Sequence, residues 1–136
     1  MSTLKKTLVV GVTTLAAVGG TLMTAAPASA ATYGGQCGSG YVEVNRDHIG
    51  NLGTVFLTYN SSNGNNCVVT IRNSPGAARP MMAAIARQSD PAWYEIDEGN
   101  YTTYAGPVYR YARGECVTWG GAINGQYGGD ENTNCG

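Results

Sequence analysis

Apolar and polar positions alternate in short runs along the chain after residue 40. Tyr41-Val42-Glu43-Val44 has the period of two that marks a half-buried strand. Thr54-Val55-Phe56-Leu57-Thr58-Tyr59 and Cys67-Val68-Val69-Thr70-Ile71-Arg72 are β-branched and aromatic runs. Asn60 to Asn66 separates them with Asn, Ser and Gly, which tolerate positive φ, so the two runs are expected to pair as a hairpin. Met81 to Arg87 fits two patterns. Its Met and Ala residues are good helix formers. A lone two-turn helix would be marginal, however, and the strand is the preferred reading. Further strands are expected over Trp93–Ile96, Tyr101–Tyr104, Val108–Ala112 and Cys116–Trp119. From Gly120 onward Gly, Asn and Asp dominate, and a coil-like tail is expected. The rhythm of short strands and turns predicts an all-β fold: a small antiparallel sandwich or partly open barrel of about seven or eight strands.

Residues 1–30 break this rhythm. Lys5 and Lys6 precede an uncharged stretch, Thr7 to Thr24, rich in Leu, Val, Ala, Gly and Thr. Ala28-Ser29-Ala30 then forms a small-x-small site behind Pro27. That order is the three-part architecture of a secretory signal peptide, so residues 1–30 are assigned to a signal and 31–136 to a single β domain. A retained anchor is the competing reading. No later stretch approaches the roughly 20 apolar residues that span a bilayer.

Cleavage changes the charge. Both lysines leave with the signal, and residues 31–136 hold six arginines against nine acids, a net charge of −3. Such a surface has no field to hold a polyphosphate or an anionic lipid, which argues against nucleic acid and membrane partners. All four cysteines (Cys37, Cys67, Cys116 and Cys135) remain. An even number in a small exported chain implies disulfides. Three pairings are possible. Cys37–Cys67 with Cys116–Cys135 is favoured because it closes the shorter loops. A zinc site is disfavoured, since no CxxC occurs and no cysteine pair lies near the single histidine.

The candidate chemistry is thin. His48 is the only histidine, so any Ser-His-Asp or Cys-His mechanism must use it. It falls in Asn45-Arg46-Asp47-His48, which reads as a polar loop, and no G-x-S-x-G elbow accompanies it. Glu95 and Asp97 share a face if they lie on a strand, with Cα atoms about 6.5–7 Å apart. Paired carboxylates at such a spacing could serve glycoside hydrolysis, and Trp93 on that face could stack on a sugar. An acidic, solvated sheet face is the ordinary alternative. Asp130-Glu131-Asn132 offers oxygen ligands but lacks the calcium-loop pattern. Asn60-Ser61-Ser62 and Asn100-Tyr101-Thr102 are glycosylation sequons. No catalytic residue, metal or cofactor is assigned.

Nine tyrosines carry more information. With one Phe and few Leu, part of the core must be Tyr, provided each buried hydroxyl finds a partner. Tyr109 and Tyr111 share one face, with Arg110 on the other. Trp93, Tyr101, Tyr104, Tyr109 and Tyr111 are the candidate ligand or assembly surface.

Several motifs together resemble a known group. These are Cys37-Gly38-Ser39-Gly40-Tyr41, Asn66-Cys67-Val68-Val69-Thr70-Ile71-Arg72, the Asn100 to Tyr109 segment, Cys116-Val117-Thr118-Trp119-Gly120-Gly121 and the terminal Asn132-Thr133-Asn134-Cys135-Gly136. Their arrangement is similar to that of the small secreted spore-associated proteins of filamentous actinomycetes. The resemblance implies an extracellular location with spores or aerial hyphae and no particular reaction. It is weakest over residues 77–98. The expected role is therefore non-enzymatic and structural, at a spore or hyphal surface. A carbohydrate or cell-wall binding module, with polysaccharide as partner, and a small hydrolase inhibitor are the alternatives. No Trp-Arg-Tyr inhibitor loop is present.

Overall fold

The computed structural model describes residues 29–136. The expected signal segment, apart from its last two residues, lies outside the described residues. Eight strands follow: β1 (Val42–Ile49), β2 (Gly53–Asn60), β3 (Asn65–Arg72), β4 (Arg79–Arg87), β5 (Asp90–Tyr101), β6 (Tyr104–Tyr111), β7 (Val117–Ile123) and β8 (Gln126–Thr133). They form two four-stranded antiparallel sheets, β1-β2-β3-β6 and β5-β4-β7-β8. The sheets stack as an open sandwich. β6 faces β4 and β5 along one side, and β1 faces β8 along the other.

The expected β2–β3 hairpin forms with unbroken register from Gly53↔Arg72 to Asn60↔Asn65. Asn60 holds its turn, accepting the Ser62 N–H on its side chain and the Gly64 N–H on its carbonyl. Met81 to Arg87 is strand, as preferred, because it lies centrally between β5 and β7. Its alternate residues Met81, Ala83 and Ile85 enter the inter-sheet core.

Three expectations are corrected. The segment from Gly120 is not a coil-like tail. It continues β7, turns at Asn124-Gly125 with both residues at positive φ, and returns as β8. That two-residue turn matches the strand twist, and pairing to β7 overrides the low strand preference of Gly, Asn and Asp. Asn45 to His48 is not a loop but the second half of β1, because each residue there finds a partner on β2. Tyr101–Tyr104 is not one strand. Tyr101 ends β5 and Tyr104 begins β6, so Thr102-Thr103 carries the chain from one sheet to the other.

The inter-sheet core includes Ile49, Val55, Leu57, Val68, Met81, Ile85, Val117, Trp119 and Ile123. A second apolar cluster lies on the outside of the first sheet. Residues 31–41 cross that face, and Ala31, Tyr33, Cys37 and Tyr41 pack on Phe56, Cys67, Val69 and Ile71. The Cys37–Cys67 disulfide fastens this plate to β3. The Cys116–Cys135 disulfide ties the start of β7 to the end of β8. Both pairings are the ones favoured by loop length.

Candidate functional site on the bare sheet face

Among the described residues no segment plates the second sheet. Its outward row runs Tyr94, Ile96 and Glu98 on β5, Met82 and Ala84 on β4, and Thr118, Gly120 and Ala122 on β7. The ladder sets Ile96 opposite Ala84 and Ala84 opposite Gly120, while Met82 lies between Glu98 and Ala122. Small residues at Ala84 and Gly120 leave a depression between Tyr94 on one edge strand and Asp130 and Glu131 on the other. The resulting trough has a volume of about 520 Å³ and is lined by Met82, Ala84, Tyr94, Thr118, Gly120, Gly129, Asp130 and Glu131, among others. A smaller hollow of about 180 Å³ shares Met82 and extends past Glu98 to Tyr127. Its rims are wet and aromatic: Tyr94 is 46% exposed and Tyr127 is 73% exposed.

One acidic wall has a local cause. Val117 pairs Thr133 and Trp119 pairs Asp130, so Thr118 alone faces two β8 residues, Glu131 and Asn132. Such a bulge interrupts the alternation of side chains. Asp130 and Glu131 consequently both line the trough, although they are consecutive. The Thr118 hydroxyl accepts the Asn132 N–H at 3.3 Å and fixes that irregularity.

The five aromatic residues singled out from the sequence do not form one surface. Tyr104, Tyr109 and Tyr111 do share a face, the outer side of β6, where the register sets them opposite Ile71, Cys67 and Asn65. Tyr109 belongs to the plate. Its hydroxyl donates to the Cys37 carbonyl at 2.9 Å, and its ring meets Tyr41 edge-on with centroids 5.5 Å apart. Desolvation, reinforced by the neighbouring Tyr41 and Tyr33, raises the pKa of its phenol. Tyr101 instead points between the sheets and donates to Asp97. That hydrogen bond, with lesser contributions from burial and the Asp97 charge, raises its phenol above the ordinary value. Trp93 faces the β5–β6 side, with its indole N–H donating to Glu95 at 3.2 Å. Its neighbour Tyr94, not singled out from the sequence, is the aromatic residue that lines the trough.

The acids Glu95 and Asp97 do share a face, and both are engaged. Glu95 and Asp90 flank the Arg110 guanidinium at 3.4 and 3.1 Å. Asp97 accepts from Tyr101 and from the Gly106 N–H, the latter at 2.7 Å, and so bridges the two sheets. Asp47 does the same on the opposite side, accepting the Gly129 N–H at 2.8 Å. His48 lies on edge strand β1, its Nδ1 3.3 Å from the Thr54 hydroxyl. Glu115 accepts the Ser89 N–H at 3.0 Å. Hydrogen bonding to Ser89, helped by Arg87 and Arg110, holds its carboxyl below the usual range. Of the two sequons, Asn60 is buried and bonded to Ser39 and Ser62, whereas Asn100 is exposed. Among the described residues no three His, Cys, Asp or Glu side chains gather as a metal site, and no helix is long and apolar enough to cross a membrane.

Fold and site together define a disulfide-stapled antiparallel β-sandwich with one plated face and one bare, concave face. The chain belongs to the family of spore-associated protein A. It is 50% identical to Spore-associated protein A from Streptomyces coelicolor over 133 aligned residues, covering 90% of this chain and 86% of that protein. No protein-family model matches the chain, and no solved structure matches it.

Proposed function

We propose that this chain is an exported, non-enzymatic protein that resides on the spore or aerial-hyphal surface and works by binding its components. The observation that carries this reading is the identity to a protein named for its association with spores, sustained along nearly the whole chain. The architecture supports it. Two disulfides suit an oxidising exterior. The carboxylates that could have formed a hydrolytic pair are tied to Arg110, Tyr101 and Gly106. The domain over residues 31–136, Lys-free at −3, is a poor partner for nucleic acid, which leaves proteins and polysaccharides of the surface.

Fractionation tests the location. A tagged chain expressed in its own host is expected in the washed spore fraction and in the aerial hyphae. Recovery wholly from the medium, with none on spores, would sink the reading. Lack of hydrolysis against a panel of polysaccharide and peptide substrates is the matching expectation for its non-enzymatic nature.

A further inference from the structure

We infer that the trough on the outer face of the second sheet is a binding subsite for a polymer of amino sugars bearing protonated amines. The inference deepens the surface reading above and rests on the chain meeting such polymers outside the cell.

Shape comes first. The floor, Ala84 and Gly120, is small and flat, and Tyr94 stands as an exposed aromatic wall. A flat ring can lie on such a floor and pack its C–H face against a tyrosine. An extended peptide is a poorer fit. Peptides gain affinity on sheets by pairing with a free edge. The floor strands β4 and β7 are both central, with their backbone groups spent on neighbours on both sides. The 520 Å³ trough and the adjoining hollow run along the strands through Met82, which suits more than one ring in a linear chain.

Charge then selects among sugars. The ionisable groups of the trough are Asp130 and Glu131, with Glu98 beside the hollow. No arginine lines either, and residues 31–136 contain no lysine. An anionic polymer such as a uronate would be repelled. A second copy of this face would set acids against acids. A cationic amine gains attraction from both wall carboxylates. Trp93, the natural candidate for sugar stacking, points away from this face toward Glu95.

The test titrates the exported, disulfide-intact chain with hexamers of glucosamine, N-acetylglucosamine and galacturonic acid, followed by calorimetry. The glucosamine hexamer is expected to bind, the acetylated hexamer more weakly, and the galacturonate hexamer not at all. Tyr94→Ala should weaken glucosamine binding about tenfold, the equivalent of one good ring contact. The double variant Asp130→Asn, Glu131→Gln should weaken it about fivefold and flatten its salt dependence. All three positions are exposed, so an unchanged melting temperature verifies the fold. The distant control Glu43→Gln, on β1 of the other sheet, should bind as the parent does. Glucosamine binding that ignores Tyr94→Ala, or that falls equally with Glu43→Gln, would mean mere charge attraction and overturn the proposal. So would no binding at all. A chain that fails here yet co-purifies with spores overturns the trough and leaves the surface reading standing. One that binds yet stays in the medium does the reverse.

Discussion

The two sheets have the same number of strands and the same antiparallel pairing, yet opposite outer faces. The first sheet carries Phe56, Val69 and Ile71 outward, and the chain spends residues 31–41 and a disulfide to cover them. The second sheet carries Met82, Ala84, Thr118, Gly120 and Ala122 outward, and among the described residues no segment crosses them. The strand patterns show the difference. β2, central in the first sheet, is buried at nearly every position, whereas the central strands of the second sheet keep half-buried outward positions at Met82, Thr118 and Gly120.

The largest contrast should come from truncating one residue on each outer face. Phe56 is fully buried under Tyr33 and beneath the Arg46 guanidinium, 5.2 Å from its ring centroid. Phe56→Ala is expected to cost about 4 kcal/mol of stability, as a large core truncation does. Ile96 is 53% exposed, and Ile96→Ala should cost no more than about 0.5 kcal/mol. Urea unfolding of both variants measures the contrast. Equal losses would mean that the plate is not a second core.

The disulfides come next. Replacing Cys37 and Cys67 by Ala opens a separation of 30 residues, and replacing Cys116 and Cys135 opens one of 19. Loop entropy alone expects losses of about 3–4 and about 3 kcal/mol, a difference of only about 0.4 kcal/mol. The first staple also holds the plate, so its loss should exceed that margin and speed amide exchange in β2 and β3. Matching losses with unchanged exchange would show that residues 31–41 stay docked without it.

A smaller effect tests how the sheets meet. A Cβ at Gly121 would fall 2.0 Å from the Thr70 hydroxyl and 3.0 Å from Val55. Thr70 in turn donates to the Met82 carbonyl at 2.8 Å, joining β3 to β4. Gly121→Ala should therefore cost about 1–3 kcal/mol by overpacking. Its neighbour Gly120 faces the trough, where the nearest atom to a new Cβ is the Gly128 carbonyl oxygen at 3.0 Å. Gly120→Ala should be milder. A reversed order would place the tight contact on the wrong side of β7.

Much of this contrast was legible in the residues, and the rest was hidden for physical reasons. Runs with strong strand character, such as Thr54 to Tyr59 and Cys67 to Arg72, were placed with their hairpin because local preference and tertiary pairing agree there. β8 was not, since Gln126 to Thr133 has poor intrinsic strand preference and is held by β7 and a disulfide. The Asn124-Gly125 pair was its available signal. The plate was hidden for a similar reason: Gly34, Gly35, Gly38 and Gly40 read as loose chain, and only the fold shows Tyr33 and Tyr41 lying on Phe56, Val69 and Ile71. The trough was missed at one residue's remove. Trp93 and Tyr94 are adjacent, and period two sends them to opposite sides of β5, so a reading centred on Trp93 does not reach the face that Tyr94 lines.

The smallest expected effect separates the plate from the inter-sheet edge by pH. Tyr101 donates to Asp97 at the edge of the core, and Tyr109 donates to the Cys37 carbonyl in the plate. Both phenols have raised pKa values in the fold. In the unfolded chain they titrate near about 10. The folded state then holds its protons longer, so the contribution of each is complete below about pH 10 and is lost as pH rises through the folded value. The surroundings differ. Tyr101 has Asp97 on its own strand, Arg79 opposite on β4, and Arg72 donating to its carbonyl. Its phenolate would sit against a carboxylate. Tyr109 sits among Tyr41 and Tyr33 in the plate. Tyr101→Phe should therefore lower the melting temperature at neutral pH by a small amount that shrinks as pH rises above about 10. Tyr109→Phe should do likewise, but only while the plate is fastened: in the chain lacking Cys37 and Cys67 its pH dependence should vanish, while that of Tyr101→Phe remains. Thermal melts of the four variants across that range decide it. Parallel curves for Tyr101→Phe and the parent would show that the Asp97 bond contributes nothing to the pH response of the edge.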